Sequence, residues 1–206
     1  MKIKDLVILL RHFPTQDELD DRVSSSVVTP PILSSAIKEV DYLCEELMQF
    51  SKRVPLNNIY CSDSFQAKET AHLIASRTKF KVSSTSLLRN IQRPHWEGLT
   101  NSEVRTKYAD DFTTWCNNPG DLTFQDGENI MAVRQRVREF MNQNSEPKLI
   151  ITHTTAFHSF ILENFELNNN LAWDFKPEMY CFTVLYNGTL WALNTRNLNY
   201  LTLEYK

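Results

Sequence analysis

Leu6-Val-Ile-Leu-Leu10 is an unbroken run of five apolar residues between Asp5 and Arg11. A run this short, bounded by charge, reads as a strand buried on both faces. Asn58-Ile-Tyr-Cys61 and Lys148-Leu-Ile-Ile-Thr152 repeat the pattern, and Phe80 to Leu88 reads as a further strand with a turn near Ser83-Ser84. Between them the apolar period changes. Ile37, Val40, Leu43, Leu47 and Phe50 recur every three or four residues, the mark of an amphipathic helix from about Ser34 to Phe50. Ser64 is placed to cap a helix carrying Ala67, Ala71, Leu73 and Ile74. Helices are also predicted over Ser102–Tyr108, after Gly127 (Ile130, Val133, Val137, Phe140) and over Ala156–Asn164. Tyr186-Asn-Gly188, between Met179–Leu185 and Leu190–Asn194, is a hairpin signal. Buried strands alternating with helices predict an α/β fold with helices on both faces of a sheet.

The 206 residues suit one domain with a sizeable core. Residues 14–31 read as a long polar loop, with Ser24-Ser25-Ser26 near its middle. Residues 89–126, with Trp96, Trp115, Pro94, Pro119 and Gly120, read as an inserted excursion over the sheet. A net charge of −3 argues against a nucleic-acid partner. No segment approaches the ~18 apolar residues of a membrane helix, so no membrane association is expected. The first apolar run is too short for a secretory core segment. Cys44, Cys61, Cys116 and Cys181 are far apart and form no CxxC, which fits neither a disulfide framework nor a zinc site. Reduced thiols in a cytoplasmic protein are the expectation. With four glycines in all, the chain has no GxGxxG or GxxxxGK[ST] phosphate loop.

In an open α/β sheet, ligands bind beyond the carboxyl ends of the strands. Three strand ends carry reactive side chains: Arg11-His12 with Thr15, Ser62-Asp63, and His153-Thr154-Thr155. Each histidine alone is most simply a hydrogen-bonded strand-end residue. Two histidines and an arginine at two strand ends make a convergent anion site: arginine offers a charged fork, and histidine serves as nucleophile or donor.

The order of these motifs resembles the histidine phosphatase (phosphoglycerate mutase-like) superfamily over nearly the whole chain. Leu9-Leu-Arg-His12 with Thr15 is similar to an RHGxT opening, and Tyr60-Cys-Ser-Asp63 with Ala67 and Thr70-Ala71 to an SSDLxRAxQTA segment. Trp96-Glu-Gly-Leu-Thr100 is like a WEGLT turn, Gly127-Glu128 with Val133, Arg136 and Val137 like a GES helix, and Ile150-Ile-Thr-His153 like an SHG strand end. The resemblance implies a three-layer α/β/α sandwich with a mostly parallel central sheet. It also implies a phosphohistidine mechanism: His12 attacks phosphorus, Arg11 and His153 stabilise the transferred oxygens, Thr15 and a second arginine hold the phosphate, and a carboxylic acid protonates the leaving oxygen. It calls for no metal or cofactor. The implied partner is a small phosphorylated or anionic ligand, with a homodimer as the assembly to look for.

Four positions depart from that pattern. Phe13 replaces a glycine, which predicts a phenyl ring at the site mouth, and Thr154 replaces another, adding a hydroxyl. Gln66 stands at the second arginine, and Asn90 at the acidic residue ahead of the Trp-Glu-Gly turn. Asparagine has no proton to give. Arg89 or Arg93 is placed to restore the cation, and Glu97, Glu128 or His95 the proton. The candidate catalytic set is therefore His12, Arg11 and His153, with Thr15, Gln66, Asn90, Arg93 and Thr154 against the substrate. Two alternatives stay open: an impaired site that only binds phosphate-like ligands or a partner, and a site turned to chemistry other than phosphoryl transfer.

Overall fold

A computed structural model describes residues 4–24 and 30–202. Its six-stranded sheet runs, in chain order, through β1 (Val7–Arg11), β2 (Asn58–Ser62), β3 (Lys81–Thr85), β4 (Lys148–Thr152), β5 (Phe182–Tyr186) and β6 (Thr189–Thr195). The spatial order is β3-β2-β4-β1-β5-β6. β1 to β4 are parallel to one another; β5 runs antiparallel to β1, and β6 antiparallel to β5. The sheet is mostly parallel, as the family resemblance implied.

The helices are α1 (Gln16–Leu19), α2 (Ile37–Ser51), α3 (Phe65–Thr78), α4 (Asn101–Lys107), α5 (Ala109–Asn117), α6 (Ile130–Gln143) and α7 (Thr154–Phe165). They cover both sheet faces because the central strands alternate two apolar sets. Leu6, Ile8 and Leu10 face Val40, Leu43, Leu47 and Phe50 of α2 and Ala67, Ala71 and Ile74 of α3. Val7 and Leu9 point the other way, into Val137 and Phe140 of α6 and Phe157, Phe160 and Ile161 of α7. A third cluster joins residues 89–126 to the second layer: Trp96, Val104, Trp115, Leu122 and Phe124 pack with Ile130, Val133, Ala156 and Leu162.

β4 lies between β1 and β2, so β1 is flanked by β4 and β5. Several elements differ from the sequence reading. Ser83 and Ser84 continue β3 rather than turning, and a single 3-10 turn follows at Ser86–Leu88. β3 is an exposed edge strand, where polar residues are compatible with pairing and local sequence shows no apolar alternation. α5 was not anticipated. The long loop also holds α1, whose Thr15 and Glu18 form a capping box. Residues 25–29 of that loop, and Ser25 and Ser26 with them, lie outside the described residues. The hairpin is present as read: Asn187 and Gly188, both at positive φ (49° and 74°), join β5 to β6. Among the described residues no helix is long and apolar enough to cross a membrane, and no cluster of three or more metal-ligating side chains occurs.

Candidate active site

Register builds the site. Arg11 pairs with Thr152 across β1 and β4, and the His12 amide donates to the Thr152 carbonyl at 2.9 Å. The next residue on each strand is a histidine, so His12 and His153 leave the sheet side by side. Their ring centroids are 4.8 Å apart, at 57°. Thr152 is fixed by its own hydroxyl, which donates to the Leu88 carbonyl at 2.8 Å.

His12 Nδ1 lies 2.8 Å from the Phe13 carbonyl. A carbonyl only accepts, so Nδ1 carries the hydrogen and Nε2 keeps the lone pair in the neutral ring. Burial, reinforced by the Arg11 charge and opposed by Glu18, holds His12 down to about 4. The ring is therefore neutral at pH 7, with Nε2 ready as a nucleophile. His153 is pushed well below its ordinary value, first by burial and then by His12 and Arg11. Its Nε2 is 3.2 Å from the Ser64 hydroxyl.

Beyond His12 opens a cavity of about 540 Å³. Arg11, His12, Glu18, Asn90, Arg93 and Thr154 line it, with Arg22 and Lys176 at the side and Trp115 and Trp173 as an aromatic wall. Its size falls in the range of small-molecule sites. Buried polar atoms without a protein partner gather here: Arg11 Nε, Arg93 Nε, Asn90 Oδ1 and Ser24 Oγ on the lining, and His153 Nδ1 behind His12. Most buried polar groups are satisfied within a protein, so such a cluster marks a place built for a polar ligand. All but Asn90 Oδ1 belong to groups that can donate to an anion.

The sequence-derived residues distribute unevenly. Arg11, His12, His153, Asn90, Arg93 and Thr154 converge. Thr15 does not face the cavity; its hydroxyl and amide both donate to Glu18 Oε2 at 2.7 Å. Gln66 is buried in α3, outside the lining, and its carbonyl accepts from Thr70. Of the two stand-ins for the missing cation, Arg89 is spent on a two-pronged pair with Asp63 at 2.6 and 2.5 Å. Arg93 is the one that reaches the cavity. Its guanidinium lies 5.7 Å from the Trp115 ring and 6.0 Å from that of Trp96, and burial lowers its pKa to about 10.

The three proposed proton sources do not line the cavity. Glu128 is clamped by Arg136 through two bonds of 2.9 Å and accepts from the Gln92 amide. Arg136 also donates to the Arg89 and Asn90 carbonyls, so this pair holds the Asn90 loop in place. His95 faces Asp126 at the surface. The expected ring at the mouth is likewise absent. Phe13 is fully buried against Tyr180, its amide donating to Thr70 Oγ1, and it fills the core below the site. Trp96 belongs to the core and Trp115 to the cavity wall. His158 is a buried core histidine against Trp173, with its pKa lowered to about 3 by burial.

Comparison with known proteins places this chain in a family. The profile of the histidine phosphatase superfamily (branch 1) matches residues 7–199. The chain belongs to that superfamily. Curated relatives of this histidine phosphatase include phosphoserine phosphatase 1 of Hydrogenobacter thermophilus, 24% identical over 87% of this chain and 85% of the relative. Another is the adenosylcobalamin/alpha-ribazole phosphatase of Escherichia coli, 24% identical over 91% and 95% of the two chains. The alpha-ribazole phosphatase of Shigella flexneri shares the fold, with a TM-score of 0.80 at 23% identity over 97% and 100%. So does a mycobacterial glucosyl-3-phosphoglycerate phosphatase, with a TM-score of 0.77 at 18% identity over 93% and 98%.

Sequence reasoning missed Asp21, Arg22, Trp173 and Lys176 on the lining and, beside His12, Glu18. Its Oε1 lies 3.2 Å from Arg11 and 3.7 Å from His12 Nε2. The signal was available in Thr15-x-x-Glu18, a capping-box spacing directly after the strand-end motif. Burial pushes the Glu18 carboxyl up, but His12, the two Thr15 bonds and Arg11 outweigh it, and the net direction is down.

Proposed function

We propose that this histidine phosphatase hydrolyses a small phosphomonoester through a phosphohistidine on His12. The observation that carries the reading is the hydrogen bond from His12 Nδ1 to the Phe13 carbonyl, which directs the Nε2 lone pair toward a cavity rimmed by unpartnered donors. Arg11 and Arg93 face the phosphoryl oxygens, and the Thr154 and Thr155 amides at the start of α7 add donors there. His153 contributes its free nitrogen as charge builds. Arg93 supplies from the cavity wall the cation that Gln66 does not. Charge placed in advance around the phosphoryl group is the main resource of such a site.

The relatives' names share a phosphate ester of a small organic molecule, and this supports the same class of substrate here. Trp115 and Trp173, 4.6 Å apart edge to face, favour a leaving group with an apolar surface against that wall. The test is a rapid acid-free quench with radiolabelled phenyl phosphate, followed by peptide mapping. Label on the peptide containing His12, stable to alkali and lost in acid, is the expected result. A phosphatase activity that survives His12→Ala with no label on that peptide would remove the reading.

A further inference from the structure

The site has a nucleophile and an anion clamp, yet Asn90 has no proton for the leaving oxygen. Among the described residues, two carboxyls line the cavity, Glu18 and Asp21. Asp21 is exposed at the rim and accepts from Asn101 Nδ2 at 2.7 Å. Glu18 is set inside, with only 22% of its side chain exposed and Oε1 3.7 Å from the nucleophilic nitrogen. Its other oxygen is tethered twice by Thr15. A carboxyl held by one oxygen, with the other set between Arg11 at 3.2 Å and the nucleophilic nitrogen, has the form of a proton shuttle.

Resting on the phosphatase reading above, we infer that Glu18 is the proton donor and acceptor of the reaction, replacing an acid at Asn90. Without substrate, the two Thr15 bonds and the Arg11 charge keep Glu18 ionised beside the neutral His12. An arriving phosphoryl group takes over the Arg11 donors and brings negative charge beside the carboxylate, which favours its protonation. In the first step, the His12 Nε2 lone pair forms the N–P bond while the P–O bond to the leaving group breaks. The Glu18 proton goes to the departing oxygen, leaving a carboxylate. In the second step that carboxylate takes a proton from water as its oxygen bonds to phosphorus. The N–P bond breaks, and inorganic phosphate and neutral His12 result. The proton balance closes on Glu18, with no other acid required.

The experiment compares kcat/KM for phenyl phosphate and 2,4-dinitrophenyl phosphate in wild type, Glu18→Gln and His12→Ala. kcat/KM reports the steps up to release of the first product, where leaving-group protonation counts. Glutamine keeps the two Thr15 bonds and lacks the proton. The phenyl ester, with a poor leaving group, is expected to lose ~10²–10⁴-fold in Glu18→Gln, the usual worth of general acid catalysis. The dinitrophenyl ester, which departs without protonation, should lose less than about tenfold, and its turnover shows that the variant is folded. Equal losses on both esters, no loss on either, or a gain overturn the assignment while the phosphatase reading stands. Equal background rates in wild type and His12→Ala overturn both.

Discussion

Holding His12 neutral has a consequence for stability that can be measured apart from catalysis. In the unfolded chain its imidazole titrates near the ordinary 6.5, whereas in the folded protein it is held down to about 4. Between these values the unfolded state binds more protons, so stability rises with pH there, is complete above the unfolded value, and is lost as pH falls toward 4. From pH 7 to pH 5 the unfolded imidazole gains most of a proton and the folded one almost none. At 1.36 kcal/mol per pH unit over roughly one and a half units, His12 alone costs about 2 kcal/mol. For a chain of this size that equals a fall in Tm of ~4–8 °C. His12→Asn keeps a donor for the Phe13 carbonyl and cannot titrate. Urea unfolding of wild type and His12→Asn at both pH values separates the effect, because pH-independent costs of the substitution cancel in the difference. The wild type is expected to lose about 2 kcal/mol more than the variant between pH 7 and pH 5. Equal losses would show that His12 is not held neutral by the fold, and its assignment as a ready nucleophile would lose its physical basis.

Arg93→Gln should reduce kcat/KM on phenyl phosphate by ~10²–10³-fold, as removal of one charged donor to a developing anion does, while Tm holds or rises because a poorly hydrated guanidinium is relieved; a large fall in Tm would recast Arg93 as structural. Phe13→Ala should cost ~3–5 kcal/mol in urea unfolding, since the ring is fully buried in the core. A loss under about 1 kcal/mol would place that ring at the cavity after all.

Much of the architecture was legible in the chain because it is local. Short apolar runs ending in Arg11-His12 and Thr152-His153, helical periods such as Val40 to Phe50, and Tyr186-Asn-Gly188 depend on neighbours within a few residues. They declared the strands, the layers and the hairpin without reference to the rest of the molecule. The same is true of the two histidines, whose place at the ends of parallel strands made them partners. Thr15-x-x-Glu18 was just as local and was passed over inside a polar stretch.

Where the ambiguous side chains point depends instead on the assembled fold. Arg89 and Arg93 were equivalent as sequence; a carboxylate at Asp63 captures one guanidinium, and the other is left facing the cavity. Glu97, Glu128 and His95 looked interchangeable, yet Arg136 binds Glu128 to the loop that carries Asn90, and none of the three lines the site. Phe13 follows the nucleophile in sequence but turns to the opposite side, because a ring beside Tyr180 is removed from water and a ring at the mouth would not be. Two of these choices depend on contacts 57 and 26 residues away along the chain, Thr70 on the Phe13 amide and Asp63 on Arg89. Burial and charge pairing settle them only once the strands are in register, and no local pattern contains that information.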